Sequence, residues 1–200
     1  MAFPIDGIFY INLDRRTDRR GEIEAELSKL GLSYERFAGI PHRQGIVGCG
    51  QSHLAVLKLA KERGYKNVLI FEDDFMLLVP PAECLAKLGE LFESKQEFDV
   101  CFLAYNIQRA EPHTELLQRV VEGQTASAYI VGSHYYDKLI ALYEWAMPLL
   151  ESTGQHWIYA NDQVWKRLQA TDRWFAFTTR IGKQRDGFSD NAQHYVSYNV

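Results

Sequence analysis

Residues 66–78 read KNVLIFEDDFMLL. Val68, Leu69, Ile70 and Phe71 form an unbroken apolar run rich in β-branched and aromatic side chains, the pattern of a strand buried on both faces. Glu72, Asp73 and Asp74 follow at once. Adjacent carboxylates repel one another unless water or a cation receives them. A strand of this kind belongs to a largely parallel sheet, and in such sheets ligands bind at the carboxyl ends of the strands, where this triplet stands.

Working outward, the stretch QSHLAVLKLAKER (51–63) has helical spacing, with Ser52 or its predecessors as cap and Gly64 as stop. The segment before it, PHRQGIVGCG (41–50), holds three glycines and a proline and reads as an irregular loop. GIFYINL (7–13) is a second doubly buried strand. Thr17 can cap the helix after it, where Ile23, Leu27 and Leu30 recur at helical spacing before Gly31. SYERFAGI (33–40) is a short strand candidate, and Pro80 and Pro81 open a helix over 81–94. FDVCFLA (98–104) is a further strand. LLQRVVEG (116–123) and TASAYIVG (125–132) read as two strands joined across Gly123 and Gln124. Ser133 can cap a long helix that Pro148 bends or breaks near its end, Asn161 can cap DQVWKRLQA (162–170), and RWFAFTT (173–179) is a last strand. Residues 180–200 read as a loop folded over something. Strands alternating with helices predict an α/β architecture: three layers, Rossmann-like, with a mixed, mostly parallel sheet flanked by helices, in a single domain over 1–200.

Composition narrows the function. Of 200 residues, 46% are hydrophobic and 24% charged, as in an ordinary globular protein, and the net charge of −4 makes nucleic acid a poor partner. The opening MAFPIDGIFYINLD lacks a basic n-region and is broken by Asp6 and Asp14, so it is not read as a signal peptide. No window reaches the length of a membrane span. Cys49, Cys84 and Cys101 are odd in number and lack a CxxC spacing, which argues against a disulfide framework or a zinc site and for reduced thiols in a cytoplasmic protein.

In an extended chain, Glu72 and Asp74 share one face and Asp73 the other. Two carboxylates on one face suit Mg²⁺ or Mn²⁺, which complete their shells with water and substrate phosphates. The bland reading is that the acids solvate a strand end. VLIFEDD also resembles the acidic pair of a response-regulator receiver domain, but FDVCFLAYN ends on Ala104, Tyr105 and Asn106 where that fold needs a phosphoacceptor aspartate. A haloacid-dehalogenase phosphatase needs D-x-D-x-T/V, which DDFML does not supply.

YINLDRRTDRR, GCGQSHLAVLKLA and VLIFEDDF, in this order and spacing, resemble glycosyltransferase family 25, which includes bacterial lipopolysaccharide sugar transferases and collagen galactosyltransferases. ASAYIVGSHYYDKLI and QRDGFSDN add weaker similarity. The resemblance implies a GT-A fold, a nucleotide-sugar donor such as a UDP-hexose, an acidic metal motif of the D-x-D type at Glu72, Asp73 and Asp74, and inversion at the anomeric carbon. The expected enzyme transfers a sugar to a hydroxyl acceptor such as a glycan. Two alternatives stay open: a non-catalytic nucleotide-sugar-binding module, and a nucleotidyltransferase using the same acidic site.

On this reading Asp74 ligates Mn²⁺ or Mg²⁺, Glu72 supports it, and Asp73 faces the ribose. Asn12 and Leu13 could read the base, and Arg16 or Arg19 could meet phosphate. The competing reading of Arg15, Arg16, Arg19 and Arg20 is a helix face paired to Asp18, Glu22 and Glu24. GCGQSH suggests free amides at a helix start, with Gln51 and Ser52 toward an anion or sugar hydroxyl. His53 reads as a structural histidine. An inverting transfer needs a general base; Asp162, flanked by Trp157, Tyr159 and Trp165 as a stacking platform, is the first candidate and Asp190 the second. Arg180, Lys183, Gln184 and Arg185 could close over the diphosphate, and His194 could complete the metal shell.

Overall fold

In a computed structural model, residues 4–189 and 194–197 are described. The elements run β1 (Gly7–Asn12), α1 (Thr17–Ser28), β2 (Glu35–Ala38), α2 (Gly45–Glu62), β3 (Asn67–Glu72), β4 (Phe75–Leu77), α3 (Pro81–Glu93), β5 (Val100–Pro112) and β6 (Leu117–Gly132). After a short 3₁₀ turn come α4 (Tyr136–Thr153), α5 (His156–Tyr159), α6 (Asn161–Val164), α7 (Lys166–Gln169), β7 (Trp174–Phe177), β8 (Gly182–Gln184), β9 (Gly187–Ser189) and β10 (His194–Val196).

Six strands form the main sheet in the order β2-β1-β3-β6-β5-β7. β1 pairs in parallel with β2 and β3, β5 with β7, and only β6 runs against its neighbours. The sheet is therefore mixed and mostly parallel, as expected.

Alternation along the strands divides the apolar residues into two cores. Phe9, Ile11, Val68, Ile70, Phe102 and Tyr129 pack toward α2 and α4, with Trp165 and Trp174. Ile8, Tyr10, Leu69, Phe71, Cys101 and Ile130 pack toward α1 and α3 on the other face. Helices cover both faces, giving three layers. Ile23 and Leu27 anchor α1; burying each is worth roughly 1.5–3 kcal/mol, and that docking sets Arg19 above the end of β3.

Several expectations change. The 41–50 loop is largely helix: α2 begins at Gly45, and Val47 and Gly48 already donate to Gln44 O. Its glycines serve packing. A Cβ on Gly48 would lie 2.4 Å from Ile40 O, and one on Gly50 2.3 Å from Met147 Sδ. The two strands expected over 116–132 are one, β6, which runs straight through Gly123 and Gln124 because β5 extends beside it with register shifts. Pro148 does not break α4, which continues to Thr153 and ends on Gly154 at φ +68°. The tail over 180–200 is not wholly loop: β8 pairs with β4, and β9 with β10. Among the described residues, no helix is long and apolar enough to cross a membrane.

Candidate functional site

Pairing of Ile11 with Glu72 brings the ends of β1 and β3 together, so the loops after them share one cleft. The cleft, about 110 Å³, is lined by Asn12, Leu13, Arg19, Cys49, His53 and Gln184, together with the acidic triplet and the Gly39–Ile40 turn.

β3 ends at Glu72, and Asp73 and Asp74 form a turn before β4. The extended-strand geometry that would put Glu72 and Asp74 on one face therefore stops at Glu72, and the carboxylates diverge. Glu72 Oε1 accepts from His53 Nε2 at 3.0 Å and Cys49 Sγ at 3.3 Å. Asp73 Oδ2 accepts from Asn12 Nδ2 at 2.8 Å, and Asp73 Oδ1 from Arg19 Nη1 at 3.0 Å. Asp74 Oδ2 accepts from the same Arg19 nitrogen at 3.1 Å and from Gln184 Nε2 at 3.0 Å.

Asp74 Oδ1 is buried and, among the described residues, has no hydrogen-bond partner. Burial first, then the Glu72 charge, push the Asp74 carboxyl up to about 7 despite Arg19. Burial also raises Asp73. Burial raises Glu72 too, but the hydrogen bond and charge of His53 carry it below its ordinary value. An orphaned carboxylate oxygen in an acid-rich cleft is a hard donor lacking a partner, and it fits Mg²⁺ or Mn²⁺.

Asn12 and Arg19 thus meet the triplet. Asn12 Nδ2 also donates to Arg16 O, and Arg36 grips Asn12 through Oδ1 and main-chain O, both at 3.1 Å, fixing the amide. Arg16 pairs with Asp18 at 2.8 Å and Arg20 with Glu24 at 2.9 Å, as the charged-face reading had it, whereas Arg19 turns inward. GCGQSH lies inside α2, so its amides are not a helix start. Ser52 Oγ instead bonds Gly48 O at 2.6 Å and Ile40 N at 2.8 Å, tying the Gly39–Ile40 turn to α2, and Gln51 is half-buried on α2.

Asp162 opens α6 and lies near enough for its charge to act on Cys49. Its Oδ2 accepts from Thr125 N at 3.2 Å and its Oδ1 from Gln163 Nε2 at 3.4 Å. Burial first, opposed by the Thr125 amide and reinforced by Glu72, raises its carboxyl. The aromatic trio divides: Trp165 is fully buried against Phe102 and Tyr129, while Trp157 is 63% exposed, and Tyr159 meets Trp145 edge-on. Only part of the expected platform is a surface. Asp190 lies outside the described residues.

In the tail, Arg185 N donates to Asp74 O at 2.6 Å, but its guanidinium reaches Glu26 at 3.1 Å on α1. Arg180 lies over Tyr105, and Lys183 sits within β8. Exposed His194 is on β10, its Nδ1 bonded to Tyr195 O. Sequence reasoning did not foresee the convergence of Cys49 and His53 on Glu72. The i,i+4 spacing of Cys49 and His53 was a signal for half of it; their meeting with Glu72 depends on α2 docking over β3.

No family model matches the sequence, and neither does any curated protein. Solved structures do match. A glycosyltransferase involved in the glycosylation of the major capsid of PBCV-1 aligns with a TM-score of 0.54 at 9% identity, over 94% of this chain and 95% of that one. A197 from STIV aligns with a TM-score of 0.48 at 11% identity, over 97% and 94%. Mannose-1-phosphate geranyltransferase from Thermus thermophilus aligns with a TM-score of 0.48 at 10% identity, over 89% of this chain and 58% of that one. The likeness to the first of these is one of fold: the chain has a glycosyltransferase-like three-layer α/β architecture.

Proposed function

We propose that this chain transfers a sugar from a nucleoside-diphosphate sugar, of the UDP-hexose type, to a hydroxyl acceptor such as a glycan, with inversion. The resemblance to glycosyltransferase family 25 belongs to this reading. The observation that carries it is Asp74 Oδ1, a buried carboxylate oxygen without a partner among the described residues, at the carboxyl end of a central strand and beside two further carboxylates.

Asp74 would hold Mg²⁺ or Mn²⁺, with Glu72, which turns toward Cys49 and His53, supporting it through water; the ion supplies Lewis-acid stabilisation of charge on a leaving diphosphate. Asn12 and Leu13 take the nucleoside side of the cleft, with Asp73 toward the ribose. Arg19, held between Asp73 and Asp74, stands where it can trade a carboxylate for a phosphate oxygen. Ser52 shapes the wall through the Gly39–Ile40 turn. Arg16 and Gln51 flank this region, and Arg185 contributes through its main chain at Asp74. Asp162 is the general base, its raised carboxyl suited to take the acceptor proton; Asp190 is the second candidate. Trp157 and Tyr159, on the turn before Asp162, offer apolar faces to an acceptor sugar.

A thermal-shift panel of UDP, GDP, CDP and ADP, each with and without Mn²⁺, tests the reading. A ligand at a hundredfold excess over Kd stabilises by about 2.7 kcal/mol. A shift for one nucleotide that requires metal supports it; no shift for any nucleotide overturns it. Sugar transfer separates an enzyme from a binding module, and pyrophosphate release from a nucleoside triphosphate would identify nucleotidyl transfer instead.

A further inference from the structure

Two hydrogen bonds converge on one oxygen at the floor of the cleft. His53 Nε2 and Cys49 Sγ, one helical turn apart on α2, both meet Glu72 Oε1 at the end of β3, at 3.0 and 3.3 Å. The three ligand atoms all lie within 4.8 Å of one another. Around a tetrahedral Zn²⁺, with bonds of about 2.0–2.3 Å, donor atoms stand roughly 3.3–3.7 Å apart. The two spacings to Glu72, 3.0 and 3.3 Å, are already close to that figure, and the third stays within 4.8 Å.

We propose that Cys49, His53 and Glu72 bind a thiophilic divalent cation of the Zn²⁺ type, with a fourth position open to the cleft. The donor set chooses the metal. A thiolate and an imidazole with a single carboxylate favour Zn²⁺ over Mg²⁺ or Mn²⁺, which prefer oxygen. The surroundings are those of a metal site rather than of a stray thiol. His53 is fully buried, and its second nitrogen, Nδ1, shares a 2.8 Å hydrogen bond with the Tyr129 hydroxyl, which fixes the ring. Cys49, by contrast, keeps some exposure and lines the cleft, so an ion has a path in. On binding, the Cys49 S–H bond breaks as a metal–sulfur bond forms, and His53 exchanges its Nε2 proton for one on Nδ1, which then donates to the Tyr129 hydroxyl, so that one proton in all leaves to solvent.

This site is separate from the hard-cation assignment to Asp74 but shares Glu72 with it. A Zn²⁺ ion here would draw Glu72 toward α2 and occupy the floor of the nucleotide cleft, so it would antagonise donor binding. The binding itself does not depend on the sugar-transfer reading and is measured without turnover.

The test is a Co²⁺ titration of the chelator-treated chain, reading thiolate-to-cobalt charge-transfer absorption, with Zn²⁺ as competitor. One Co²⁺ per chain with a charge-transfer band is expected, displaced by Zn²⁺, lost in Cys49→Ser and in His53→Gln. Tyr129→Phe, which removes only the outer partner, should weaken binding by roughly 10–100-fold. No band in the wild type overturns the proposal, as does a band that survives Cys49→Ser, which would assign it to other thiols. Alkylation of the wild-type chain provides a second measurement should the variants unfold. Cys84 and Cys101 are fully buried and serve as inert controls. Zn²⁺ should protect Cys49 selectively, and unchanged alkylation of Cys49 would also refute the site.

Discussion

Asp162 accepts the main-chain amide of Thr125 at 3.2 Å, and Thr125 makes that bond from a φ of +82°. A β-branched residue with left-handed φ carries strain of order 1–3 kcal/mol. Here it coincides with the register shifts where β6 passes Asn106 of β5. The proposed base and a strained strand thus hold each other in place.

Two substitutions separate those roles. Asp162→Asn retains an oxygen for the Thr125 amide, so stability in urea should fall by under about 1 kcal/mol, while transfer is lost and nucleotide binding kept. Asp162→Ala should cost about 1.5–3 kcal/mol by stranding the amide. Adding Thr125→Gly should recover part of that loss, because glycine adopts positive φ without strain. Full transfer by Asp162→Asn would move the base assignment to Asp190.

Asp74 gives the protein a pH dependence of known sign. Its folded carboxyl titrates at about 7 against an ordinary value of 3.8, so between these limits the folded state binds the extra proton. That contribution to stability is complete below about pH 4 and is lost as pH rises through 7. Each unit is worth about 1.4 kcal/mol, so the total is a few kcal/mol. In chelator, denaturation midpoints should decline from pH 5 to 8 in the wild type and stay flatter in Asp74→Asn. Mn²⁺ at pH 8 should restore stability to the wild type only. Equal slopes in the two proteins would refute the burial account.

Arg19 is the only cation that the described contacts place on both Asp73 and Asp74, with side chains 12%, 11% and 8% exposed. Removing one partner of a buried ion pair typically costs about 3–5 kcal/mol, since a charge is left without compensation. Arg19→Met should approach that loss at pH 8 and cost less at pH 5, where Asp74 takes up a proton. Combining Arg19→Met with Asp74→Asn should be less damaging than the sum of the two. Calorimetry at both pH values reads this directly, and a pH-independent loss would mean that packing, not charge, is what Arg19 supplies.

Much of this site could be read before folding because strand burial is local information. The apolar runs of β1 and β3 placed Asn12 beside the triplet, and their parallel pairing confirms it. Charge was read less well: Arg16 and Arg20 pair with Asp18 and Glu24 of α1, but whether Arg19 joined them depended on which face of α1 met the sheet. Glycine misled the reading of residues 41–50. Gly48 and Gly50 look like helix breakers in one dimension, yet they are required by Ile40 and Met147, which approach only in three. Trp165 belonged to the core for the same reason. Its neighbours Phe102, Tyr129 and Trp174 come from three separate strands.

The strap formed by β4 and β8 is the last part of the site whose role can be isolated. Leu77 pairs with Gly182, and the same ladder brings Gln184 to Asp74 Oδ2 and the Arg185 amide to Asp74 O. Gly182 has no room for a side chain. A Cβ there would lie 2.1 Å from the Phe75 ring and 2.7 Å from Met76 O, and Phe75 is itself buried against Phe71. Gly182→Ala must therefore push β8 off β4, at a cost of about 1–3 kcal/mol for overpacking. Because the displaced strand carries Gln184, donor affinity should fall along with stability. Gln184→Ala removes the contact without the clash, so it should lose affinity with little change in melting temperature. If Gly182→Ala melts early yet binds nucleotide as the wild type does, the strap is a structural clasp and takes no part in holding Asp74 for its ligand.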